Sequence, residues 1–341
     1  LNVLITGAGG FLGRHVVAEF LRRGHAVRAL VRPSTNVAPL AWPAEVEVRR
    51  ADLLGKEDLA PSLAGVDAVV HLAASVRGSD ADQYAAAVEG TERLLKAMAD
   101  SGVKRLVLAS SFSVYDWSAI EGTLDEDSPL EPPEGLAARD GYAVAKAAQE
   151  RTARDLAGRF GIDLTVLRPG FIWGRDHSEV GGLGQKVGPV QVVFGPSTRL
   201  PMTHVENCAH VFALATEDPR AIGRTYNVVD DEGPTTADFL RDYLGGTGQK
   251  RVTVPLGYGP AFVAVRLAHG LLGALTLGKK KLPGLLIPTR FEARFKPLRF
   301  TNARLRDELG WAPPLGPAER AARTYGPVPA AKPDRPINLP A

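Results

Sequence analysis

Tyr142 and Lys146 stand four residues apart in the run YAVAK. A spacing of four puts two side chains on one face of a helix. A tyrosine ordinarily ionises near pH ~10, and a neighbouring ammonium stabilises the phenolate and lowers that value. The pair therefore reads as a general acid/base, Tyr142, kept usable near neutrality by Lys146. Tyr-x-x-x-Lys also arises as a plain surface pair, so the reading depends on its company. Ser110 and Ser111 close an apolar run, VKRLVLASS, at 103–111. A hydroxyl at such a strand end can hold a substrate oxygen while its charge changes. Ser111 is the catalytic candidate, and Ser110 the candidate N-cap or turn residue.

A place for a cofactor is offered by the first residues, Thr6-Gly7-Ala8-Gly9-Gly10-Phe11-Leu12-Gly13. They lie between an apolar run (2–6) and an amphipathic one (11–23). Glycine permits the sharp turn between strand and helix and lets a pyrophosphate approach main-chain amides at the helix N-terminus. The GxGxxG fingerprint fails because position 12 is Leu, whereas the GxxGxxG spacing of Gly7, Gly10 and Gly13 fits. The second strand ends Leu30-Val31-Arg32, without the carboxylate that would bond the ribose 2′-hydroxyl of NAD. Arg32 is a planar, always-charged donor suited to a 2′-phosphate. NADP(H) is accordingly favoured over NAD(H), with a surface cation or an adenine-stacking role as the alternatives for Arg32. Asp52 closes the third strand and is placed to accept from the adenine amino group, or else to cap the following turn.

The elements that must position these groups follow a regular rhythm. Strands are expected at 2–6, 26–31, 46–53, 67–74, 103–111 and 163–170. Helices are expected at 11–23, 82–100 and 142–159. Short apolar runs alternating with helical periods imply right-handed crossovers and a parallel sheet. In that doubly wound design ligands sit at the carboxyl ends of the strands. After Gly170 the rhythm breaks. Residues 174–201 are rich in Gly and Pro, a helix (205–217) and a strand (224–229) return to the core, and 234–245 reads as another helix. The expected fold is α/β, a Rossmann-type doubly wound parallel sheet with a smaller C-terminal substrate domain. The expected division is 1–173 plus 202–230 for the NAD(P)-binding part, 174–201 plus 231–325 for the substrate part, and 326–341 as a Pro-rich tail.

Composition limits the function. The 341 residues include 45% apolar and 23% charged residues, with a formal charge of +3. That charge, without a basic stripe interleaved with aromatics, gives no case for nucleic acid as a partner. Cys208 is the one cysteine, so no intrachain disulfide forms, and no Cys/His set has metal-ligand spacing. Cys208 reads as a small buried apolar side chain. The chain opens inside a strand pattern with no charged lead-in or cleavage site, the pattern expected of a cytoplasmic protein.

Six stretches occur in one order: TGAGGFLG (6–13), DL (52–53), HLAA (71–74), SSFSVYD (110–116), YAVAK (142–146) and RPGFIWG (168–174). Together they resemble the extended short-chain dehydrogenase/reductases over roughly residues 2–230, and FTNARLRDELGWAPP (300–314) is similar to that group's C-terminal region. The resemblance implies a Rossmann domain, a nicotinamide cofactor and a Ser–Tyr–Lys catalytic set, matched by Ser111, Tyr142 and Lys146. It also implies that Leu53, His71, Leu72, Ala73, Ala74, Pro169 and Gly170 line the cofactor beside Gly7, Gly9, Gly10, Phe11, Leu12, Gly13, Arg32 and Asp52, with Tyr142 and Lys146 touching it. Many members carry an asparagine three residues before Gly90-Thr91, where this chain has Ala87. Asn207 replaces a frequent aspartate and reads as structural. By analogy with dimeric members, the Ala-rich helices 82–100 and 142–159 would form a homodimer interface.

Two substrate classes compete. One is a ketone or alcohol on a largely apolar small molecule, in the manner of the 3β-hydroxysteroid dehydrogenase and dihydroflavonol reductase branches. The other is a nucleotide sugar in an epimerase, dehydratase or reductase, whose diphosphate Arg175, Arg199 and Arg290 would hold. A third reading is a non-catalytic NADP-sensing protein, which the presence of Ser111, Tyr142 and Lys146 disfavours. Asp125, Glu126 and Asp127 are candidate acids for a dehydratase and otherwise a solvated loop. The apolar stretch 261–278 is interrupted by Arg266 and His269 and does not read as a membrane span. It reads as a core helix of the small domain, a pocket wall, or, with Lys279 to Lys281, a segment (261–281) that rests on a membrane surface.

Overall fold

Seven of the short apolar runs pair into one sheet. The computed structural model describes residues 1–74, 78–231, 233–275 and 282–327. The first half lays down β1 (Asn2–Thr6), α1 (Phe11–Arg22), β2 (Ala26–Val31), β3 (Glu47–Arg50), α2 (Ala60–Leu63), β4 (Ala68–His71), α3 (Asp80–Asp100) and β5 (Arg105–Ala109). It continues through β6 (Thr123–Leu124), α4 (Pro133–Leu136), α5 (Gly141–Phe160) and β7 (Asp163–Pro169). With β12 (Thr225–Val228) these give a seven-stranded sheet in the order β12-β7-β5-β4-β1-β2-β3, every pairing parallel. The order reverses between β1 and β4, and there the strand ends leave a crevice.

Alternation along the strands divides the core in two. Val3 and Ile5 of β1 pack with Val16, Val17 and Phe20 of α1 and with Val211 and Phe212 of α6 (Val205–Glu217). Leu4 points the other way, toward Leu94, Leu95 and Met98 of α3 and Ala153 and Ala157 of α5. Each such large side chain contributes roughly 1.5–3 kcal/mol by leaving water. Cys208 is fully buried in the first layer, as its residue type leads one to expect.

The third strand is shorter than the pattern 46–53 predicts. It stops at Arg50, and Asp52 bends the chain by accepting the Leu54 amide on its carboxylate (3.0 Å).

The later residues build β8 (Phe171–Trp173), β9 (Gln185–Val187), β10 (Val190–Phe194), β11 (Met202–His204), α7 (Thr236–Thr247), β13 (Val252–Leu256) and α8 (Tyr258–Leu275). They end in α9 (Pro288–Phe295), β14 (Arg299–Phe300), α10 (Ala303–Leu309) and α11 (Pro317–Tyr325). β13, β10 and β9 form a separate sheet, backed by Phe194, Ala261, Val265, Phe291 and Phe295. Two short parallel pairs fasten the later segments, β8 to β11 and β14 to β6 of the first half. The apolar stretch that begins at 261 is helical as far as Leu275, but it is not a core helix. Only Ala261 and Val265 of α8 are buried. Lys279 to Lys281 and residues 328–341 of the Pro-rich tail lie outside the described residues.

Candidate active site

The site begins where β1 gives way to α1. Gly7 sits at φ +68°, a region open to glycine at no steric cost, and a Cβ there would stand 2.9 Å from the Ala73 amide nitrogen. A Cβ on Gly13 would run into the Gly7 carbonyl oxygen, so both glycines are fixed by close backbone approach. Gly10 caps α1 without a side-chain bond, and no acid occupies the first turn. The first-turn amides thus have no side-chain acceptor and point outward at the positive end of a helix.

Those amides open onto a cleft of about 580 Å³. Thr6, Gly7, Gly9, Gly10, Phe11, Leu12 and Gly13 form its floor. Arg32, Thr35, Asp52, Leu53 and Leu54 form one wall, and Leu72, Ala73 and Ala74 another. At the far end stand Ser110, Ser111, Tyr142, Lys146, Pro169 and Gly170. The cofactor and catalytic candidates therefore share one cavity. His71, expected from the resemblance on the same wall, is not among its lining residues. Its side chain is fully buried behind the wall, with Nδ1 2.6 Å from the Thr6 hydroxyl.

Arg32 lies exposed at the rim. The turn that carries it is pinned by Arg50, which donates to the Pro33 (3.0 Å) and Thr35 (2.9 Å) carbonyls. Sequence reasoning passed over Arg50, because an arginine bonding backbone reads like any surface cation. Among the described residues Arg32 makes no ion pair, so its guanidinium is free for an anion.

At the chemical end, Asp140 caps α5 by accepting the Ala143 amide (3.0 Å), and Tyr142 falls in the first turn. Burial pushes the phenol up from its ordinary value, the Ser111 hydroxyl bonded to it pulls it down, and Asp140 pushes it up again. The expectation that Lys146 lowers the phenol is not met. Lys146 gives its ammonium to the Ala109 carbonyl (2.7 Å) and to Gln149 Oε1 (2.9 Å). Burial lowers Lys146 to about 8, against the pull of Glu150. The turn cap is Ser111, not Ser110: Ser111 Oγ accepts the Ser113 amide (3.1 Å). Ser110 Oγ instead donates to Glu150 (2.6 Å). Glu150 pairs with Arg168 (2.6 Å), and Arg168 donates to the Tyr115 hydroxyl (3.0 Å).

The remaining charged candidates lie elsewhere. Arg175 donates to the Gly326 carbonyl, Arg199 to Gly233, and Arg290 to Ala138 and Arg139, and none lines the cleft with Tyr142. Arg199 borders a second, mixed-charge cavity with Arg299, Arg306, Asp231 and Asp238. Asp125 holds its own loop through Ser128 and the Asp127 amide, Glu126 accepts the Asn227 amide, and Asp127 pairs with Arg304. Asn207 is structural, bonding Asp230 and the Leu315 backbone. Among the described residues no group of His, Cys, Asp and Glu could hold a metal.

Uncapped amides, a close-approach glycine turn and one continuous cleft fit a dinucleotide. Residues 3–228 match the NAD dependent epimerase/dehydratase family. The chain belongs to that family. It is an extended short-chain dehydrogenase/reductase, an enzyme that uses a nicotinamide cofactor and acts on a small molecule. It is 32% identical, over 92% of its length and 86% of the relative's, to a 3 beta-hydroxysteroid dehydrogenase/Delta 5-->4-isomerase of Mycobacterium tuberculosis. It is 28% identical over 94% of its length to 3beta-hydroxysteroid-dehydrogenase/decarboxylase isoform 2 of Arabidopsis thaliana, of which it spans only 61%. The fold is shared with UDP-glucuronic acid 4-epimerase from Bacillus cereus in complex with NAD, at a TM-score of 0.69 and 20% identity, covering 95% of this chain and 97% of that one.

Proposed function

We propose that the chain interconverts a ketone and an alcohol on a largely apolar small molecule, using NADP(H), with Ser111, Tyr142 and Lys146 as its catalytic set. The observation that carries this reading is the single cleft that joins the uncapped first turn of α1 to those three side chains. When bound, the nicotinamide supplies or accepts a hydride. With its ionisation pushed up, Tyr142 is a neutral phenol at pH 7 and donates its proton to the substrate oxygen in the reducing direction. Ser111 holds the same oxygen as charge develops on it. Lys146 binds the cofactor. Arg32 supports the preference for NADP(H), because a free guanidinium at the rim suits a phosphate better than a hydroxyl.

The apolar substrate class draws support from Ala86, Ala109, Pro169 and Ile172 along the cleft. It also draws on the arginines that a sugar diphosphate would need, which are spent on backbone carbonyls. The relatives' names, both 3β-hydroxysteroid dehydrogenases, agree with it. The test is NADPH oxidation with a panel of steroid and alkyl ketones, beside UDP-sugars. Tyr142→Phe is expected to bind NADPH as wild type does and to lose roughly 100-fold or more in kcat. Near-normal turnover in that variant ends the assignment. Conversion of a UDP-sugar without ketone reduction replaces the substrate class.

We also infer that α8 rests on an anionic lipid surface. Val263, Leu267, Leu271 and Leu275, spaced by four, are 57, 70, 62 and 71% exposed. Arg266 is exposed on the same helix, and Lys279 to Lys281 follow it in sequence. At 18 residues the helix is about 27 Å long, and an exposed apolar stripe on a helix that also exposes Arg266 suits lying in the interface. Sedimentation with phosphatidylserine vesicles, and not with phosphatidylcholine alone, is the expected result. Leu267→Glu should abolish it. A concentration-dependent dimer without vesicle binding assigns the stripe to a second copy instead.

A further inference from the structure

Behind the cleft, and reaching its floor at Thr6, four buried polar side chains, Thr6, His71, Thr91 and Gln149, play no part in the chemistry above. An ammonium has three N–H bonds. Lys146 spends one on the Ala109 carbonyl and one on Gln149 Oε1, which leaves a single N–H for the cleft that Lys146 lines. Gln149 is itself fixed, since its Nε2 donates to Thr91 Oγ1 (3.0 Å). Thr91 gives its own hydrogen to the Ala87 carbonyl (2.5 Å). His71 Nε2 lies 2.9 Å from Thr91 Oγ1 and 3.4 Å from Gln149 Nε2, and because Thr91 has spent its hydrogen on Ala87, the shorter contact calls for the proton on His71 Nε2. Its Nδ1 accepts from Thr6, whose oxygen accepts the Ala73 amide (3.2 Å). The donor count assigns one tautomer to His71 and one orientation to Gln149. Turning the Gln149 amide over would set its NH2 against the ammonium. Ala87 removes the side-chain amide that many members carry in α3, and the amide behind Lys146 here comes from α5.

We propose that Gln149 is a positioning residue for Lys146: it takes one N–H so that the remaining one faces the ligand, and the chain Thr91–His71–Thr6 locks it and ties it to the glycine turn. The proposal rests on the reading of Lys146 as a cofactor-binding group. The ammonium bonds the Ala109 carbonyl of β5 and Gln149 of α5 and feels the charges of Glu150 on α5 and His71 on β4, while Tyr142 and Ser110 line the same cleft. Glu150 is held ionised by Arg168 and Arg154, His71 is kept neutral by burial, and Tyr142 is pushed up. Lys146 is therefore the member of this cluster that titrates between about pH 7 and 9.

The test is the dissociation constant for NADPH, by fluorescence titration, across that range. Wild-type affinity should fall as pH rises through about 8. Gln149→Met deletes the acceptor, so the fall should come roughly one pH unit earlier, and Gln149→Glu should delay it by a similar amount. Thr91→Val, which frees Gln149 without touching Lys146, should shift it in the direction of Gln149→Met by less. A residue that merely fills space would change affinity equally at every pH, or only the thermal midpoint. Folded Gln149→Glu and Thr91→Val proteins with the wild-type midpoint overturn the proposal even if Gln149→Met does not fold. Lys146→Met separates the two levels. If it abolishes the pH-dependent fall while the other variants match wild type, only the role of Gln149 fails. If it binds NADPH as wild type does at every pH, the reading of Lys146 fails as well.

Discussion

Lys146 and Tyr142 were legible because a four-residue spacing is a local property, and a helix turns it into a shared face whatever the surroundings. What their neighbours do was not legible. Gln149 and Glu150 continue the stripe of Lys146 at i+3 and i+4, yet a polar residue there reads as solvated until α3 is known to cover it. The same holds for His71, whose partners Thr6 and Thr91 come from two other elements. Its burial has a consequence for stability. Burial, reinforced by Lys146, lowers His71 to about 3. Below about pH 6.5 the unfolded chain takes up a proton that the folded imidazole refuses, so stability falls as pH drops from there toward about 3, by up to ~1.4 kcal/mol per pH unit. Thermal midpoints measured from pH 7 to 4 should show this, and His71→Gln should flatten the slope. His204, also lowered to about 3, keeps its own share in that variant. At the other end of the cleft, Arg32→Ala should weaken NADPH by roughly tenfold or more and leave NADH unchanged. An unaltered ratio of the two affinities would remove Arg32 from the site.

Elements were read more surely than their faces. Gly7, Gly10 and Gly13 announced a turn between strand and helix, and the turn shows why. Only hydrogen fits between α1 and the Gly7 carbonyl at position 13. Gly13→Ala should therefore cost at least about 2 kcal/mol in stability, as an overpacked site does, and denaturant melts would reveal it. The Ala-rich helices 82–100 and 142–159 use their small residues within the chain, whatever surface they offer to a second copy. The buried stripe of α5 includes Ala145, Ala148 and Ala153, and α3 buries Ala87 and Gly90. The two helices pack closely against each other within one chain. Their outward residues include Glu89, Glu92, Lys96, Arg151 and Asp155. α8 shows where a local reading of faces fails. Its helical period was plain, but the side it buries is set by Phe194 of β10 and by α9, which no local pattern announces.

Across the whole molecule, the parallel sheet was legible from the alternation of runs, since crossover rules leave few ways to pair them. In the later half the helices 205–217 and 234–245 were legible too, but its small strands were not, because its ties are two- and three-residue pairs between separate segments. One buried ion pair binds several of these regions. Arg168 of β7 meets Glu150 of α5, and through the Tyr115 hydroxyl it reaches Asn227 of β12. Arg168→Met should destabilise the chain by about 3–5 kcal/mol, as the loss of one partner from a buried pair does, and a two-state melt would measure it. Restoring an apolar partner with Glu150→Leu in the same protein should recover part of the loss. Cys208 gives a way to watch such changes without a label. It is the chain's one sulfhydryl, sealed between α6 and the sheet, its ionisation held well above the ordinary range by burial. An aromatic disulfide reagent finds nothing to attack until that layer parts, so colour released over time becomes a clock for how often the sheet bares its back.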